Sequence, residues 1–327
     1  MDILNTMRPS SELRFDIVSQ DWVVIATGRA KRPETFKTRK EESFEEEKKC
    51  PFCHLETQGK IIYESKNVVV VPNLYPAFSK GESLNKRKVG PYQVMDGVGF
   101  HEVVITRDHN RQMAQFSVEE IKEVIDCYQS RYKELMTKPF VNYVSIFHNH
   151  KREAGASIAH PHSQIIAIPR YDPDIRKSLD GSKRYWKEYH RCPHCTMIEW
   201  DLKEKTRIIF ENEKFVTLCP YVSRVGFEVR VYPKEHQAYF ERINDEEKML
   251  FSEAFQAGLR KLYKALNDPP YNFFLHTAPC DGKNYDHYHW HWEILPKTSI
   301  PAGFELGTGI EICTIEPEKA AEYLKKF

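Results

Sequence analysis

One order of residues occurs twice along this chain. Cys50-Pro-Phe-Cys53 and Cys192-Pro-His-Cys195 each precede a β-branched run, from Asn67 to Phe78 and from Phe215 to Phe227. Each run leads into a Gly-Phe strand that delivers a histidine, Gly99 to His109 and Gly226 to His236. A helix follows in both halves. Ser117-Val-Glu-Glu120 is a capping box, and Ile121, Val124, Ile125, Tyr128, Tyr132 and Leu135 then share one face. Its counterpart opens on Asn244-Asp-Glu-Glu247 and places Leu250, Phe251, Phe255, Leu259 and Leu262 at helical spacing. Strands from Val141 and Tyr271 come next, and each half ends on alternating histidines, His160-Pro-His-Ser-Gln164 and His289-Trp-His-Trp-Glu293. A unit repeated in one order calls for two similar folded units. The expected fold class is therefore α+β, with two tandem units, each an antiparallel half-barrel sheet with a packed helix. The expected halves are 1–170 and 171–327, joined near Pro169–Asp180. Pro- and Gly-rich stretches at 269–282 and 296–309 read as loops, and the charged run from Lys37 to Lys49 reads as a solvated connection.

The repeat also decides how to read the eight cysteines. Four lie in the two Cys-x-x-Cys pairs; Cys127, Cys219, Cys280 and Cys313 stand singly among apolar neighbours and read as small core residues. No export signal opens the chain, so widely separated Cys-x-x-Cys pairs point to metal rather than to disulfides. Each half then offers two thiolates and two imidazoles: Cys50, Cys53, His109 and His160, and Cys192, Cys195, His236 and His289. Such sets suit two closed, structural zinc sites. In the second set His287 shares the alternating face and is an alternative to His289.

On the first His-rich strand, alternation puts His160, His162 and Gln164 on one face. The preceding Lys151-Arg-Glu-Ala-Gly155-Ala-Ser157 supplies cations and small residues that let main-chain N–H groups approach an anion. A histidine beside such a loop is a candidate nucleophile for phosphoryl transfer through a phosphoramidate.

The strand His160-Pro-His-Ser-Gln164, with Asn149 and Gly155-Ala-Ser157 before it, resembles the galactose-1-phosphate uridylyltransferase family of the histidine-triad superfamily. The resemblance continues through Leu13-Arg-Phe-Asp-Ile-Val-Ser19, Asp21-Trp-Val-Val24, Gly28-Arg-Ala-Lys-Arg-Pro33, Cys50-Pro-Phe-Cys53 and Gly303-Phe-Glu-Leu-Gly-Thr-Gly309, covering almost the whole chain. It implies histidine-triad-like units, His162 as the nucleophile that takes a nucleoside monophosphate, and Gln164 as its amide partner. Histidine-triad hydrolases carry another histidine at the Gln164 position, and an amide there accords with transfer rather than hydrolysis. The resemblance further implies nucleotide contacts from Asn73, Asn149, Gly155 and Ser157, and phosphate contacts from Arg29 and Arg32. Phe304 and Glu305 fall where the family holds the hexose. A homodimer acting on a nucleotide sugar and a hexose 1-phosphate is implied as well. In the second half His291 and Glu293 replace His162 and Gln164, and no Gly-Ala-Ser precedes them, so that half reads as structural or substrate-completing.

Two readings of the chemistry stand side by side. The proline of His160-Pro-His162 resembles the uridylyltransferases, with UDP-glucose as donor. The paired Cys-x-x-Cys motifs and Leu266-Asn-Asp-Pro-Pro-Tyr271 resemble the plant-type ADP-glucose phosphorylase branch, with inorganic phosphate as acceptor. A non-enzymatic nucleic-acid reader is disfavoured by a net charge of +1 and the lack of a basic, aromatic-interleaved motif. No apolar run reaches membrane-spanning length, and a cytoplasmic protein is expected.

Overall fold

The computed structural model describes residues 11–28 and 47–327. The N-terminal half begins with β1 (Ser11–Phe15) and β2 (Trp22–Ala26), then β3 (Tyr63–Glu64) and β4 (Val68–Pro72). A hairpin of β5 (Arg87–Val89) and β6 (Tyr92–Val94) precedes β7 (Phe100–Thr106), α1 (Val118–Leu135), β8 (Tyr143–His150) and β9 (His162–Ile168). Two helices follow, α2 (Pro173–Tyr189) and α3 (Pro193–Glu204), then β10 (Ile208–Glu211), β11 (Phe215–Leu218) and β12 (Val229–Pro233). The chain continues with α4 (Asp245–Ala265), β13 (Tyr271–His276), β14 (His291–Pro296), α5 (Gly303–Thr308), β15 (Ile312–Cys313) and α6 (Pro317–Leu324).

The helices start where the sequence caps them. Ser117 Oγ accepts from the Glu120 N–H at 3.2 Å while Glu120 accepts from the Ser117 N–H at 2.8 Å. Asn244 and Glu247 make the same reciprocal pair, both at 2.9 Å. The join near Pro169–Asp180 is largely helical, because Asp172 caps α2 and Pro173 occupies its first turn, where a missing N–H costs nothing. Two expectations need correction. The stretch 269–282, read as a loop, carries β13. The loop expected at 296–309 contains α5, closed by Gly309 at φ 71°.

Ten strands form one sheet in the order β10-β11-β12-β14-β13-β8-β9-β7-β4-β3. The two halves of the repeat therefore run outward from a central antiparallel pair, β8 with β13, in which Phe147 faces Phe274 and Asn149 faces Asn272. Gln164 pairs with Phe147 on one side and Glu293 with Phe274 on the other, so a pseudo-twofold axis passes between the two phenylalanines. Helices α1 and α4 pack side by side on one face of this sheet over Val68, Val70, Ile146, Val229, Phe273 and Trp292. Tyr128 of α1 stacks on Trp292 at 5.7 Å, tying one half to the strand of the other. The opposite face carries Phe147, His162 and Gln164 in one half and Phe274, His291 and Glu293 in the other.

A smaller sheet joins the chain's two ends: β2 pairs with β1 and, in parallel, with β15. Arg14 on β1 grips Glu318 of α6 through two bonds of 3.1 Å, and Arg207 reaches the same carboxylate at 3.0 Å. The turn after β1 lies against Gly181 of α2, where a Cβ would collide with the carbonyl oxygen of buried Val18. Alanine would favour the helix by about 1 kcal/mol, but the overlap is with backbone and should cost about 1–3 kcal/mol. Gly181→Ala is thus expected to lower the thermal midpoint; a raised midpoint would show that Val18 is not seated on α2.

Candidate active site and metal centres

The four ligand atoms of Cys50, Cys53, His109 and His160 lie within 4.8 Å of one another, as do those of Cys192, Cys195, His236 and His289. In the first set Cys53 Sγ is 3.2 Å from His109 Nδ1 and 3.5 Å from His160 Nδ1, and the two Nδ1 atoms are 3.2 Å apart. In the second, Cys195 Sγ is 3.3 Å from His236 Nδ1 and 3.5 Å from His289 Nδ1. The far ring nitrogens show what these atoms are for. His160 Nε2–H donates to Thr106 O at 2.5 Å, His236 Nε2–H to Asp286 O at 2.7 Å and His289 Nε2–H to Pro233 O at 3.0 Å. Each bond places the ring proton on Nε2 and turns the Nδ1 lone pair toward the thiols, the arrangement of a ligating histidine. Both clusters can hold a metal ion. His287 lies outside the second cluster, bonded toward the backbone of Leu179, so the geometry favours His289.

The His-rich strands are shorter than alternation implied. Strand β9 begins at His162, since Pro161 has no N–H to offer the ladder; its carbonyl accepts from the Thr106 amide and hydroxyl instead. Strand β14 begins at His291, because the Tyr288 N–H turns back to Tyr285 O.

His162 is 7% exposed, its ring edge-on to Phe52 at a centroid distance of 4.9 Å. Its Nδ1–H donates to His160 O at 2.8 Å, so the Nε2 lone pair is the one left for chemistry. Burial holds the His162 pKa below its ordinary value, against the opposing pull of that hydrogen bond, and keeps the ring neutral. Behind the strand, the hydroxyls of Tyr128 and Ser163 are hydrogen-bonded at 2.5 Å, and His148 Nδ1 approaches Ser163 Oγ at 3.0 Å.

Gln164 Oε1 accepts from His101 Nε2 at 2.8 Å, and Asn73 Nδ2 lies 3.1 Å from the same nitrogen. Asn149 Oδ1 accepts from Asn272 Nδ2 at 2.7 Å, and the same Nδ2 donates to Ala154 O at 2.7 Å. The loop after β8 is pinned from the second half too: Lys151, at φ 67°, pairs with Asp268 at 2.8 Å, and His150 pairs with Asp268 at 2.7 Å. Gly155 completes the turn at φ 95°, where a side chain would be strained, and Ser157 is exposed beside it.

The symmetry-related position in the second half is differently filled. Glu293, in the place of Gln164, pairs with Arg224 and with Arg230 at 3.1 Å, and Arg230 also pairs with Glu228 at 2.8 Å. Burial opposes ionisation, but the two guanidinium groups hold the Glu293 carboxyl well below its usual range. A buried carboxylate here repels a phosphate, and its arginines are already engaged.

Arg29 and Arg32 lie outside the described residues. Phe304 and Glu305 sit on α5, where Glu305 Oε2 accepts from the Ala302 N–H at 3.0 Å and Phe304 is half exposed. Among the described residues, no hydrogen bond or ring contact joins either of them to the His162 strand. Sequence reasoning missed His101, Asn272 and Asp268. The signal for His101 was present, since it alternates with Val103 and Ile105 on the face that carries His162.

A duplicated α+β fold with one elaborated histidine site and one filled in by ion pairs defines an internally repeated protein with a single candidate nucleophilic histidine. The family description galactose-1-phosphate uridyl transferase, N-terminal domain, matches residues 2–170, and a domain of unknown function (DUF4921) matches residues 90–326. The chain is 32% identical to an ADP-glucose phosphorylase of Arabidopsis thaliana, over 97% of this chain and 93% of that protein. It is 30% identical to a galactose-1-phosphate uridylyltransferase of Thermotoga maritima, over 96% and 98%. The crystal structure of an ADP-glucose phosphorylase from Arabidopsis thaliana with bound ADP-glucose superposes with a TM-score of 0.85 at 30% identity, covering 97% of this chain and 99% of that one. The chain belongs to the galactose-1-phosphate uridylyltransferase family.

Proposed function

We propose that this enzyme transfers a nucleoside monophosphate from a nucleotide sugar to an acceptor phosphate by a ping-pong cycle through His162. His162 Nε2 attacks the α-phosphorus, a P–N bond forms, and the P–O bond to the hexose 1-phosphate breaks. That product leaves as a phosphate oxyanion. An oxygen of the acceptor phosphate then attacks the same phosphorus and the P–N bond breaks, restoring the neutral imidazole. The observation that carries this reading is the fixed tautomer of His162, whose Nδ1–H is spent on His160 O. Gln164, Asn149, Asn73, Gly155 and Ser157 supply the surrounding phosphate and nucleotide contacts, and Arg29 and Arg32, outside the described residues, are assigned to the phosphates by their guanidinium chemistry alone.

UDP-glucose and galactose 1-phosphate are the substrates we assign, in line with the Thermotoga relative. ADP-glucose phosphorolysis is the second reading, favoured by the Arabidopsis relative's similarity. Hydrolysis is disfavoured, since the Gln164 amide cannot take a proton from water. We assign zinc to both Cys/His clusters. Zn–N of 2.0–2.1 Å and Zn–S of about 2.3 Å in a tetrahedron put N···N at about 3.3 Å and N···S at about 3.5 Å, close to the separations found here. These closed sites brace the fold: the ions hold the strands and His160, and His160 O in turn orients His162. The halves 1–170 and 171–327 divide the work, the first carrying the chemistry and the second its support. Phe304 and Glu305 serve the hexose across a homodimer, and the enzyme works in the cytoplasm. Among the described residues, no helix is long and apolar enough to cross a membrane.

Intact-protein mass spectrometry after incubation with UDP-glucose or ADP-glucose tests the reading. A gain of one UMP establishes the uridylyl enzyme, and a gain of one AMP moves the assignment to the phosphorylase. No adduct from either, under acid-free conditions, overturns the covalent cycle.

A further inference from the structure

We infer that His101 is a positioning residue that sets which end of the Gln164 amide faces the reacting phosphoryl group; the inference rests on the nucleotidyl-transfer reading. A glutamine amide can present an oxygen or an NH2 group, and only the NH2 attracts phosphoryl oxygens. The hydrogen bonds decide between them. The Ala77 N–H donates to His101 Nδ1 at 3.2 Å, so in the neutral ring the proton lies on Nε2. That Nε2–H, 2.8 Å from Gln164, can be answered only by the amide oxygen. The Gln164 NH2 is left without a partner among the described residues, on the strand face that carries His162.

The other two amides of the site are sorted the same way by different donors. Asn272 Nδ2 must be a donor, because it also bonds Ala154 O; the Asn149 atom it meets at 2.7 Å is therefore oxygen. The Tyr75 N–H takes Asn73 Oδ1 at 2.8 Å. Asn73 Nδ2, 3.1 Å from the protonated His101 Nε2, then faces another donor and is unspent. Three amides have their acceptors occupied and their donors free, which makes a pocket of donors for a group that offers only acceptors. In the second half the residue aligned with His101 is Glu228, which pairs with Arg230, so the device exists once.

The test compares His101→Gln with His101→Glu, in the parent and in a Gln164→Leu background. Glutamine retains a donor toward Gln164 Oε1, whereas glutamate presents only acceptors and turns the Gln164 NH2 away from the phosphoryl group. The readout is the rate of nucleotidyl-enzyme formation with UDP-glucose and with ADP-glucose, followed by intact mass. The glutamine variant is expected within about threefold of the parent. The glutamate variant should be slower by roughly tenfold to a hundredfold, below the 10²–10³ of losing an oxyanion donor outright. In the Gln164→Leu background the two variants should react alike. Equal rates in the parent background overturn the inference, as does a glutamate deficit that persists undiminished without Gln164, which would mark simple charge repulsion. If the parent itself gains no nucleotide, the transferase reading fails, and the inference falls with it for that separate reason.

Discussion

His162→Ala is expected to abolish nucleotide transfer while the protein stays folded and keeps its metal. The imidazole is the only group at its position able to form the P–N bond, so its loss removes the covalent route itself. A fall in kcat of about 10⁴-fold or more is the scale set by deleting other enzymes' nucleophiles. Structural damage should be small. The ring packs edge-on to Phe52 at the sheet surface, and the strand is held from behind by the Tyr128–Ser163 hydroxyl pair, which the substitution does not touch. Transfer assays, a thermal melt and metal analysis on one preparation check all three parts. Activity within tenfold of the parent would remove His162 from the reaction.

The second large effect concerns the metal clusters. Cys53→Ser should reduce bound metal from two ions per chain to one and lower the thermal midpoint by on the order of 10 °C. Without an ion, His109 Nδ1 and His160 Nδ1 are left 3.2 Å apart beside the buried Cys50 and exposed Cys53 thiols, with no cation to share among them. Activity should fall as well, since His160 O fixes the His162 tautomer. The equivalent Cys195→Ser should lower stability with a smaller loss of activity, because no reacting residue hangs from His289. Unchanged metal content and melting in both variants would show that the clusters are metal-free thiol–imidazole packing.

The repeat was legible because metal-ligand spacing, capping boxes and alternating histidines are local signals. They located α1, α4, both Cys/His sets and the His162 strand. The sequence left hidden what depends on distant pairing. Nothing in Ser11–Ala26 announces that β2 runs parallel to Ile312–Cys313. Alternation could not show that β14 starts at His291, since a turn closed by Tyr288 and Tyr285 obeys no period. The amide-sorting donors were missed because they act across strands: His101 reaches Gln164 from β7, and Asn272 reaches Asn149 from the other half.

The central β8–β13 pair has a consequence for how the chain could be taken apart. Each half ends its own five strands at that seam, so a separated half would expose an unpaired edge lined with main-chain donors and acceptors. A lone copy would seek a second strand of the same register, and Phe147 opposite Phe274 shows that register to be nearly self-complementary. The covalent link through α2 supplies the partner at high effective concentration, which no dilution in the cell can lower. Pieces cut between β9 and β10 and expressed together should therefore reassemble in a concentration-dependent way, whereas either piece alone should pair with itself or aggregate.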